Sequence, residues 1–292
     1  MQEPDRGHEV FGAPVLGASL QRYRREGRAA PELLSLAAAL AALQVELHAE
    51  LTDAPPPQDA SPTPPADWAA DALRRTADVV AAHSPQSVPA LAGFAAGAAK
   101  LETGLLAAAA RGEAPAVAEV AGVTGAAPAV AVYVLRAALQ PHLAWRFGAG
   151  SACAGDLPFP VRQYCPACGG RPLMGKHTEP DGHRFLRCTL CGHEWAYPRM
   201  ACPACGESEQ AKLESFFVTG DEGHRAYLCA TCKRYTKVSD ERLLGGRVYL
   251  PLEDMVTLHL DDLARERGYT PVSEDGPDDP EQGRKVSQWG ER

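Results

Sequence analysis

Eight of the nine cysteines form four C-x₂-C pairs between residues 165 and 232. The pairs are Cys165/Cys168, Cys188/Cys191, Cys202/Cys205 and Cys229/Cys232. Two thiolates three residues apart can bind one ion from a single turn, and four thiolates complete the tetrahedral shell of zinc or of iron. The spacing therefore predicts two metal sites with four sulfur ligands each. Because such a shell leaves no position for water or substrate, we expect structural rather than catalytic metals.

The simplest pairing of the four turns follows sequence order. It gives C-x₂-C-x₁₉-C-x₂-C over residues 165–191 and C-x₂-C-x₂₃-C-x₂-C over residues 202–232. Both spacings are typical of ribbon modules, in which a hairpin joins two metal-binding turns. Glycine follows three of the turns, whereas Lys233 follows the fourth. An interleaved pairing is the alternative, and it needs a crossing topology.

Other roles for these residues are less well supported by the sequence. Eight thiols packed as small apolar residues would not recur at this spacing, and a thioredoxin-like redox pair needs a βαβ context that the sequence does not indicate. We expect Cys153 to be a small buried residue at a domain junction. Four histidines lie among the turns, and we expect them at the surface or beside the sulfur ligands, with replacement of one cysteine ligand as the alternative. They are His177, His183, His193 and His224.

The sequence contains no motif of a known catalytic site. It has neither a G-x-x-x-x-G-K-[ST] phosphate loop nor a G-x-S-x-G nucleophile elbow, so we expect no enzymatic activity. The net charge of −8 argues against nucleic acid as a partner. If the ribbons did bind nucleic acid, the candidate cations would be Arg184, Arg187, Lys233, Arg234 and Lys237.

The distribution of cysteine and alanine predicts an α+β protein. The first 152 residues are alanine-rich and lack cysteine, which favours an N-terminal α-helical bundle, followed by two tandem rubredoxin-like or zinc-ribbon modules with four cysteine ligands each and a C-terminal helix. We expect a poorly structured N-terminus at 1–30, a helical domain at 31–150 with a proline-rich linker at 53–65, ribbons at 160–200 and 201–245, a helix at 250–269 and a disordered tail at 270–292.

Several elements can be placed from local patterns. Leucines recur every three or four residues from Leu33 to Leu51, as on one face of a helix. Pro141 is expected to kink or split a helix over about 129–147. Strands are expected at 183–187 and 213–218. Charged residues interrupt the apolar stretches around 91–105 and 129–147, and the N-terminus lacks a secretory pattern, so we expect a cytoplasmic protein without a membrane span.

The cysteine motifs resemble those of the FdhE family of formate dehydrogenase accessory proteins. The matching segments are Tyr164-Cys-Pro-Ala-Cys168-Gly-Gly-Arg-Pro, Arg184-Phe-Leu-Arg-Cys188-Thr-Leu-Cys191-Gly-His-Glu-Trp195, Cys202-Pro-Ala-Cys205-Gly and Tyr227-Leu-Cys229-Ala-Thr-Cys232-Lys-Arg-Tyr235-Thr-Lys-Val238. A further match is the segment 252–263 with Gly268-Tyr269 after it. The resemblance covers about residues 125–272. The proline-rich segment and the opening of the chain depart from the family pattern.

The resemblance implies a cytoplasmic, non-enzymatic factor that binds the catalytic subunit of formate dehydrogenase during maturation. It implies rubredoxin-like iron, whereas four thiolates alone would suggest zinc, so we expect two metal ions, iron or zinc. Trp195 is a candidate partner contact, with packing inside the ribbon as the alternative. Two other functions stay open, a rubredoxin-like electron-transfer or redox-sensing protein and a nucleic-acid-binding zinc-ribbon protein. The oligomeric state does not follow from the sequence.

Overall fold

A computed structural model of the chain describes residues 13–51, 63–83, 91, 93–147 and 163–274. The described residues form two compact units. One is helical and takes the described part of Ala30–Ala149, and the other combines Pro14–Ala29 with the described part of Gly150–Glu274. Cys153, most of the proline-rich linker at 53–65 and the tail beyond residue 274 lie outside the described residues.

The helical unit contains six of the described helices. They are α2 (Pro31–Ala49), α3 (Ala66–His83), α4 (Phe94–Ala98), α5 (Thr103–Arg111), α6 (Ala114–Thr124) and α7 (Pro128–Phe147). Helix α7 packs against α2, α3, α5 and α6, and its buried face is rich in alanine and leucine. Small side chains let the helices approach closely, so the alanine-rich composition produces a bundle around α7.

Helix α2 buries three leucines of the stripe predicted from the sequence, whereas Leu33 and Leu36 of that stripe are half-buried. Leu40, Leu43 and Leu47 are each less than a tenth exposed. By length and composition α2 could cross a membrane, as could α6 and α7 if the bent pair were one span. The packing of α2 against α3 and α7 is that of a core helix, which has the same length and composition as a span.

Helix α7 continues through Pro141, contrary to a split at this position. Proline has no N–H, so the carbonyl of Ala137, four residues earlier, loses its usual donor. The side-chain amide of Gln44 on α2 donates to that carbonyl at 3.0 Å and to the Oε1 of Gln140 at 3.1 Å. A buried side chain therefore supplies the hydrogen bond that the proline removes.

The second unit is built on a sheet of seven strands among the described residues. They are β1 (Pro172–His177), β2 (Arg184–Cys188), β3 (Glu194–Ala196), β4 (Leu213–Phe216), β5 (His224–Cys229), β6 (Arg234–Asp240) and β7 (Thr270–Pro271). The order is β3-β2-β1-β6-β5-β4, and β7 pairs with β6. The strands predicted around 183–187 and 213–218 correspond to β2 and β4.

The two cysteine modules share this sheet. The first module contributes β1, β2 and β3 as antiparallel neighbours, and the second contributes β4, β5 and β6 in the same way. Strand β1 pairs with β6 in parallel, with Gly175 opposite Val238 and His177 opposite Asp240. The tandem ribbons predicted from the sequence are therefore two halves of one sheet.

The predicted single helix at 250–269 is wrong. After α8 (Glu241–Leu244), the chain forms α9 (Leu250–Val256) and α10 (Leu258–Glu266), which meet at Thr257. The Thr257 hydroxyl donates to the Glu253 carbonyl at 2.7 Å, and the Lys237 ammonium on β6 donates to the Asp254 carbonyl at 2.9 Å. Side chains thus satisfy two carbonyls at the end of α9, which lets the helix stop there.

Both predicted unstructured ends contain ordered segments. Instead of a poorly structured 1–30, residues Ala13–Glu26 form helix α1, whose Leu16, Leu20 and Tyr23 are buried. At the other end, β7 and the residues up to 274 are ordered against β6. The expected disorder of 275–292 lies outside the described residues. Helix α1 belongs to the sheet unit, because nearly all of it lies within the segment Pro14–Ala29.

Candidate metal centres

Each C-x₂-C pair lies on a tight turn with the same backbone shape. The N–H of the residue after the second cysteine donates to the carbonyl of the first cysteine in three turns, at 2.9 Å from Gly169, Gly206 and Lys233. That residue has positive φ in all four turns, 74° at Gly169, 74° at Gly192, 78° at Gly206 and 57° at Lys233. Lys233 therefore keeps the conformation that glycine adopts elsewhere, although it is costly for a side chain.

The first cluster brings together the sulfurs of Cys165, Cys168, Cys188 and Cys191, all buried. Its Sγ–Sγ distances include 3.7 Å for Cys165–Cys191 and 3.4 Å for Cys168–Cys188. The N–H of Gly170 points to one sulfur at 3.4 Å and that of Leu190 to another at 3.3 Å. A Cβ on Gly170 would lie 2.8 Å from the Cys188 sulfur, so the cluster requires glycine at this position.

The second cluster has the same arrangement with more exposure. It consists of Cys202, Cys205, Cys229 and Cys232. The Sγ atoms of Cys202 and Cys232 are 3.6 Å apart, and those of Cys205 and Cys229 are 3.7 Å apart. Cys205 is exposed and Cys232 half-buried. Both clusters follow sequence order, as the spacing predicted, but only the second reaches solvent among the described cysteines.

The sulfur geometry fits a tetrahedral metal ion. A metal–sulfur bond of about 2.3 Å in a tetrahedron places the sulfurs about 3.8 Å apart, close to the four distances above. In each cluster all four sulfurs lie within 4.8 Å of one another. Two groups of four cysteines that could hold two metal ions are therefore present. The donor set suits zinc and iron alike, so it does not choose between them.

The ionisation of the thiols agrees with such a site. Hydrogen bonding, foremost from Cys232, lowers the pKa of Cys202 to about 5 against the effect of burial. In the first cluster burial opposes ionisation of Cys188, yet hydrogen bonds from its three neighbours hold its pKa well below the usual range. One thiolate per cluster forms readily, and a bound cation would offset the repulsion among four.

Four of the five cations considered for nucleic-acid binding are buried. Arg184, Arg187, Arg234 and Lys237 are 2 to 7% exposed. The Lys237 ammonium forms ion pairs with Asp254 at 2.8 Å and Asp261 at 2.6 Å. Burial lowers the pKa of Lys237, but the two carboxylates outweigh this effect and hold the pKa above its usual value. Lys233 is exposed and lies over the Tyr269 ring at 5.3 Å. Buried side chains cannot reach a phosphate backbone, so the structure removes the basis of that hypothesis.

Trp195 is buried, which excludes it as a direct partner contact. It is 1% exposed and lies opposite Leu186 across the β2–β3 pair. The adjacent Glu194 accepts from Lys176 at 2.8 Å. Burial opposes ionisation of this carboxylate, but Lys176 and Arg187 hold its pKa below the usual range. The Glu-Trp pair therefore stabilises the first ribbon from both faces of β3.

Two of the four histidines among the turns are buried, contrary to a surface position. His177 is 3% exposed, and burial lowers its pKa to about 4. His224 is 2% exposed and lies between two carboxylates, with Nδ1 2.5 Å from Asp221 and Nε2 2.9 Å from Glu253. His183 is exposed and His193 half-buried. Neither metal group includes a histidine among the described residues.

A buried polar cluster around His224 was not predicted from the sequence. Tyr23 on α1 donates its hydroxyl to Glu253 at 2.5 Å, and Arg22 donates to the other oxygen of the same carboxylate at 2.7 Å. Glu253 is fully buried. The cluster attaches α1 to α9 and β5. The helical spacing of Leu16, Leu20 and Tyr23 could have predicted α1, but not the contact between Arg22 and Glu253, which are 231 residues apart.

The fold and the two clusters define a class: an α-helical unit joined in one chain to a unit in which tandem four-cysteine ribbons share a sheet. A family model described as "FdhE, central domain" matches residues 164–199. An FdhE homologue of Aquifex aeolicus is 35% identical over 114 residues, or 38% of this chain, and one of Stutzerimonas stutzeri is 35% identical over 159 residues, or 53% of this chain.

The similarity to a solved structure extends much further along the chain. The crystal structure of the FdhE protein from Pseudomonas aeruginosa matches with a TM-score of 0.60 and 25% identity, covering 94% of this chain and 96% of that one. The sequence matches span only 40% of the Aquifex protein and 50% of the Stutzerimonas protein. This chain is therefore similar to FdhE proteins in sequence over part of its length and in structure over most of it.

Proposed function

We propose that this protein is a cytoplasmic accessory factor that binds the catalytic subunit of a formate dehydrogenase during maturation. The observation that carries the proposal is the similarity to the solved FdhE protein, which extends over 94% of the chain and so includes described residues of both units. The geometry of the two cysteine clusters supports a rigid, metal-stabilised binding surface rather than a substrate site, because four sulfurs leave no open coordination position. The protein itself catalyses no reaction in this proposal.

Copurification tests whether the protein binds the catalytic subunit. The tagged, metal-loaded chain is incubated anaerobically under reducing conditions with the formate dehydrogenase catalytic subunit. We expect the unaltered protein to recover the catalytic subunit. The Cys153→Ser variant, whose cysteine lies in neither cluster, should recover it equally well, whereas the Cys188→Ser variant should not recover it. Recovery no greater than from a tag-only matrix would contradict partner binding.

The eight clustered cysteines are the proposed ligands of two metal ions. Iron would supply a one-electron Fe(II)/Fe(III) couple, whereas zinc would supply only rigidity. Anaerobic purification with elemental analysis and a visible spectrum tests this assignment. We expect about two metal ions per chain, one for each group of four cysteines. A ratio well below two for iron and zinc combined would overturn it.

The exposure of the second cluster favours a second candidate function, electron transfer or redox sensing. The first cluster is buried, whereas Cys205 is exposed, so only the second presents a described sulfur to a redox partner. Replacement of iron by zinc tests this function. Zinc-loaded protein that still supports full formate dehydrogenase maturation would exclude it, while loss of maturation with unchanged partner binding would support it.

A further inference from the structure

A cavity of about 230 Å³ lies beside the second cluster, within the sheet unit. Its lining includes Arg184, Arg199, Ser215, Tyr227 and Thr236, together with Cys202 and the segment that leads to it. Glu214 is the one acidic residue in the described lining, and it is exposed. The cavity is therefore rich in hydrogen-bond donors and cationic groups.

Strand register places three hydroxyls on one side of the cavity. Ser215 on β4 lies opposite Tyr227 on β5, and Tyr227 lies opposite Thr236 on β6. Directly opposed residues in antiparallel strands share a sheet face, so the three side chains form a row. The Thr236 hydroxyl is buried and has no hydrogen-bond partner among the described residues. A buried hydroxyl without a partner costs free energy unless a ligand or water completes it.

The guanidinium of Arg184 is the strongest indication of a ligand. It is 2% exposed, and Nη1 donates to the Ala201 carbonyl at 3.1 Å. Its Nε and Nη2 have no hydrogen-bond partner in the described part of the chain. The rings of Tyr197 and Tyr227 lie 5.7 and 5.4 Å from its central carbon. Two unpartnered nitrogens of one guanidinium are the donors that bind an oxyanion in a forked geometry.

Neighbouring groups do not supply the missing acceptors. Among residues 13–51, 63–83, 91, 93–147 and 163–274, no carboxylate forms an ion pair with this guanidinium. Arg187 on the same strand also has Nε and Nη2 without a hydrogen-bond partner there, but its Nη1 lies 3.5 Å from the Glu194 carboxylate. Cys202 and Cys229 line the same cavity, but neither sulfur accepts a hydrogen bond from Nε or Nη2. A buried arginine is normally paired, so the cavity is built for an anion.

We propose that this cavity binds a small oxyanion of the phosphate or carboxylate class. Nε and Nη2 of Arg184 hold two of its oxygens, Thr236 and Ser215 donate from the strand side, and Arg199 supplies further positive charge. The site adjoins the second four-sulfur shell, since Cys202 and Cys229 of that shell also line the cavity, and it goes beyond the accessory role. It would place an anion next to the second cluster, where it would alter the electrostatic environment of the bound metal.

Calorimetric titration of the metal-loaded, full-length protein tests the site. Inorganic phosphate and sodium acetate are titrated separately at constant ionic strength set with sodium chloride, which distinguishes the two kinds of oxyanion. We expect saturable binding of at least one of them. Absence of saturable binding by both anions would overturn the proposal. Displacement of either anion by chloride at equal concentration would overturn it too, and both results would leave Arg184 as a counter-charge to the thiolates.

Two conservative variants make the test specific. Thr236→Val removes one hydroxyl at constant shape and is expected to weaken binding about fivefold, the loss of one hydrogen bond. Ser239→Ala is the matched control, because Ser239 also carries a buried, unpartnered hydroxyl on β6 among the described residues but does not line the cavity. Its affinity should be unchanged. Arg184→Gln should abolish binding, and equal affinity of Thr236→Val and the unaltered protein would refute the assigned position.

Discussion

The cysteines of the first cluster differ from those of the second in burial rather than in geometry. All four sulfurs of the first cluster are enclosed, and Cys188 is fully buried. A thiolate in that position has no alternative solvation when a metal ligand is removed. Loss of one ligand there should therefore affect folding, whereas the exposed edge of the second cluster can accept water.

We predict that Cys188→Ser unfolds the first ribbon. The metal's contribution to folding is lost when its shell is incomplete, and the variant should carry about one metal ion instead of two. Elemental analysis and the far-ultraviolet circular dichroism spectrum check this result. Cys153→Ser is the control and should retain both ions. Unchanged metal content in Cys188→Ser would contradict the sequential grouping of ligands.

The His224 cluster is the other site where single residues matter. Its carboxylates are Asp221 and Glu253, and Tyr23 and Arg22 reach the latter from α1. On the other side, Arg28 and His259 both contact Asp221. Burial favours the neutral imidazole, but the hydrogen bonds to the two carboxylates outweigh it and raise the pKa of His224 above its usual value.

We predict a pH-dependent contribution of His224 to stability. Because its pKa is raised on folding, its contribution is complete below the unfolded pKa of about 6.5 and disappears as pH rises through the folded pKa. His224→Gln should lower the free energy of unfolding by about 3 kcal/mol at about pH 6, as for a broken buried pair, and by less at about pH 9. Urea unfolding at both pH values checks this.

The exposed His183 provides the control for that experiment. His183→Gln should leave the free energy of unfolding unchanged at either pH, because the side chain is exposed. A His224→Gln deficit that grows from the lower to the higher pH would contradict the raised pKa and favour a neutral, structural histidine.

At the scale of elements, the continuity of α7 depends on a side chain from α2. Gln44 compensates for Pro141 by donating to the Ala137 carbonyl. We predict that Gln44→Leu lowers the free energy of unfolding by about 1 to 3 kcal/mol, since it leaves a buried acceptor without a donor. Restoring the N–H with Pro141→Ala should reduce that cost.

A double-mutant cycle measures this coupling. The four proteins are the unaltered chain, each single variant and the pair, compared by urea unfolding. We expect a coupling of about 1 kcal/mol between the two positions, within the range for residues in one hydrogen-bond network. Additive effects would show that the Gln44 amide stabilises the bundle only through Gln140.

The elements that the sequence predicts are those with local signals. Cysteine spacing predicts the four turns and their grouping, and leucine spacing predicts α2. The stop between α9 and α10 was missed because it depends on Lys237, which lies 17 residues from Asp254 in sequence and on another element. The burial of the β2 cations was missed for the same reason, since their partners and surroundings lie on other segments. Local patterns do not encode such contacts.

At the scale of the molecule, the two units contain different sources of stability. The helical unit is held by apolar packing and has no described cysteine, whereas the sheet unit contains both groups of four cysteines. Helix α1 shares the second unit despite its position next to α2 in the sequence. Metal removal should therefore affect the two units differently.

We predict that chelation under reducing conditions unfolds the sheet unit and leaves the helical unit folded. Hydrogen exchange followed by mass spectrometry should show loss of protection in 163–274 and in α1, with α2 and α7 still protected. The physical reason is that bound metal contributes directly to the folding of closed four-sulfur sites. Equal loss of protection in α2 and α7 would contradict the prediction that the helical unit stays folded without metal. Retained protection in α1 would contradict the attachment of this helix to the sheet unit through Glu253.

The attachment of α1 has a consequence for synthesis. Arg22 and its partner Glu253 are separated by 231 residues. At about 5 to 20 residues per second, a ribosome needs about 10 to 50 s to produce the partner after the helix. Throughout that interval Leu16, Leu20 and Tyr23 lack the surface that buries them in the finished protein. Helix α1 is thus synthesised early but is among the last elements to reach its folded position. A nascent chain interrupted before residue 253 would leave the apolar face of this helix exposed to chaperones.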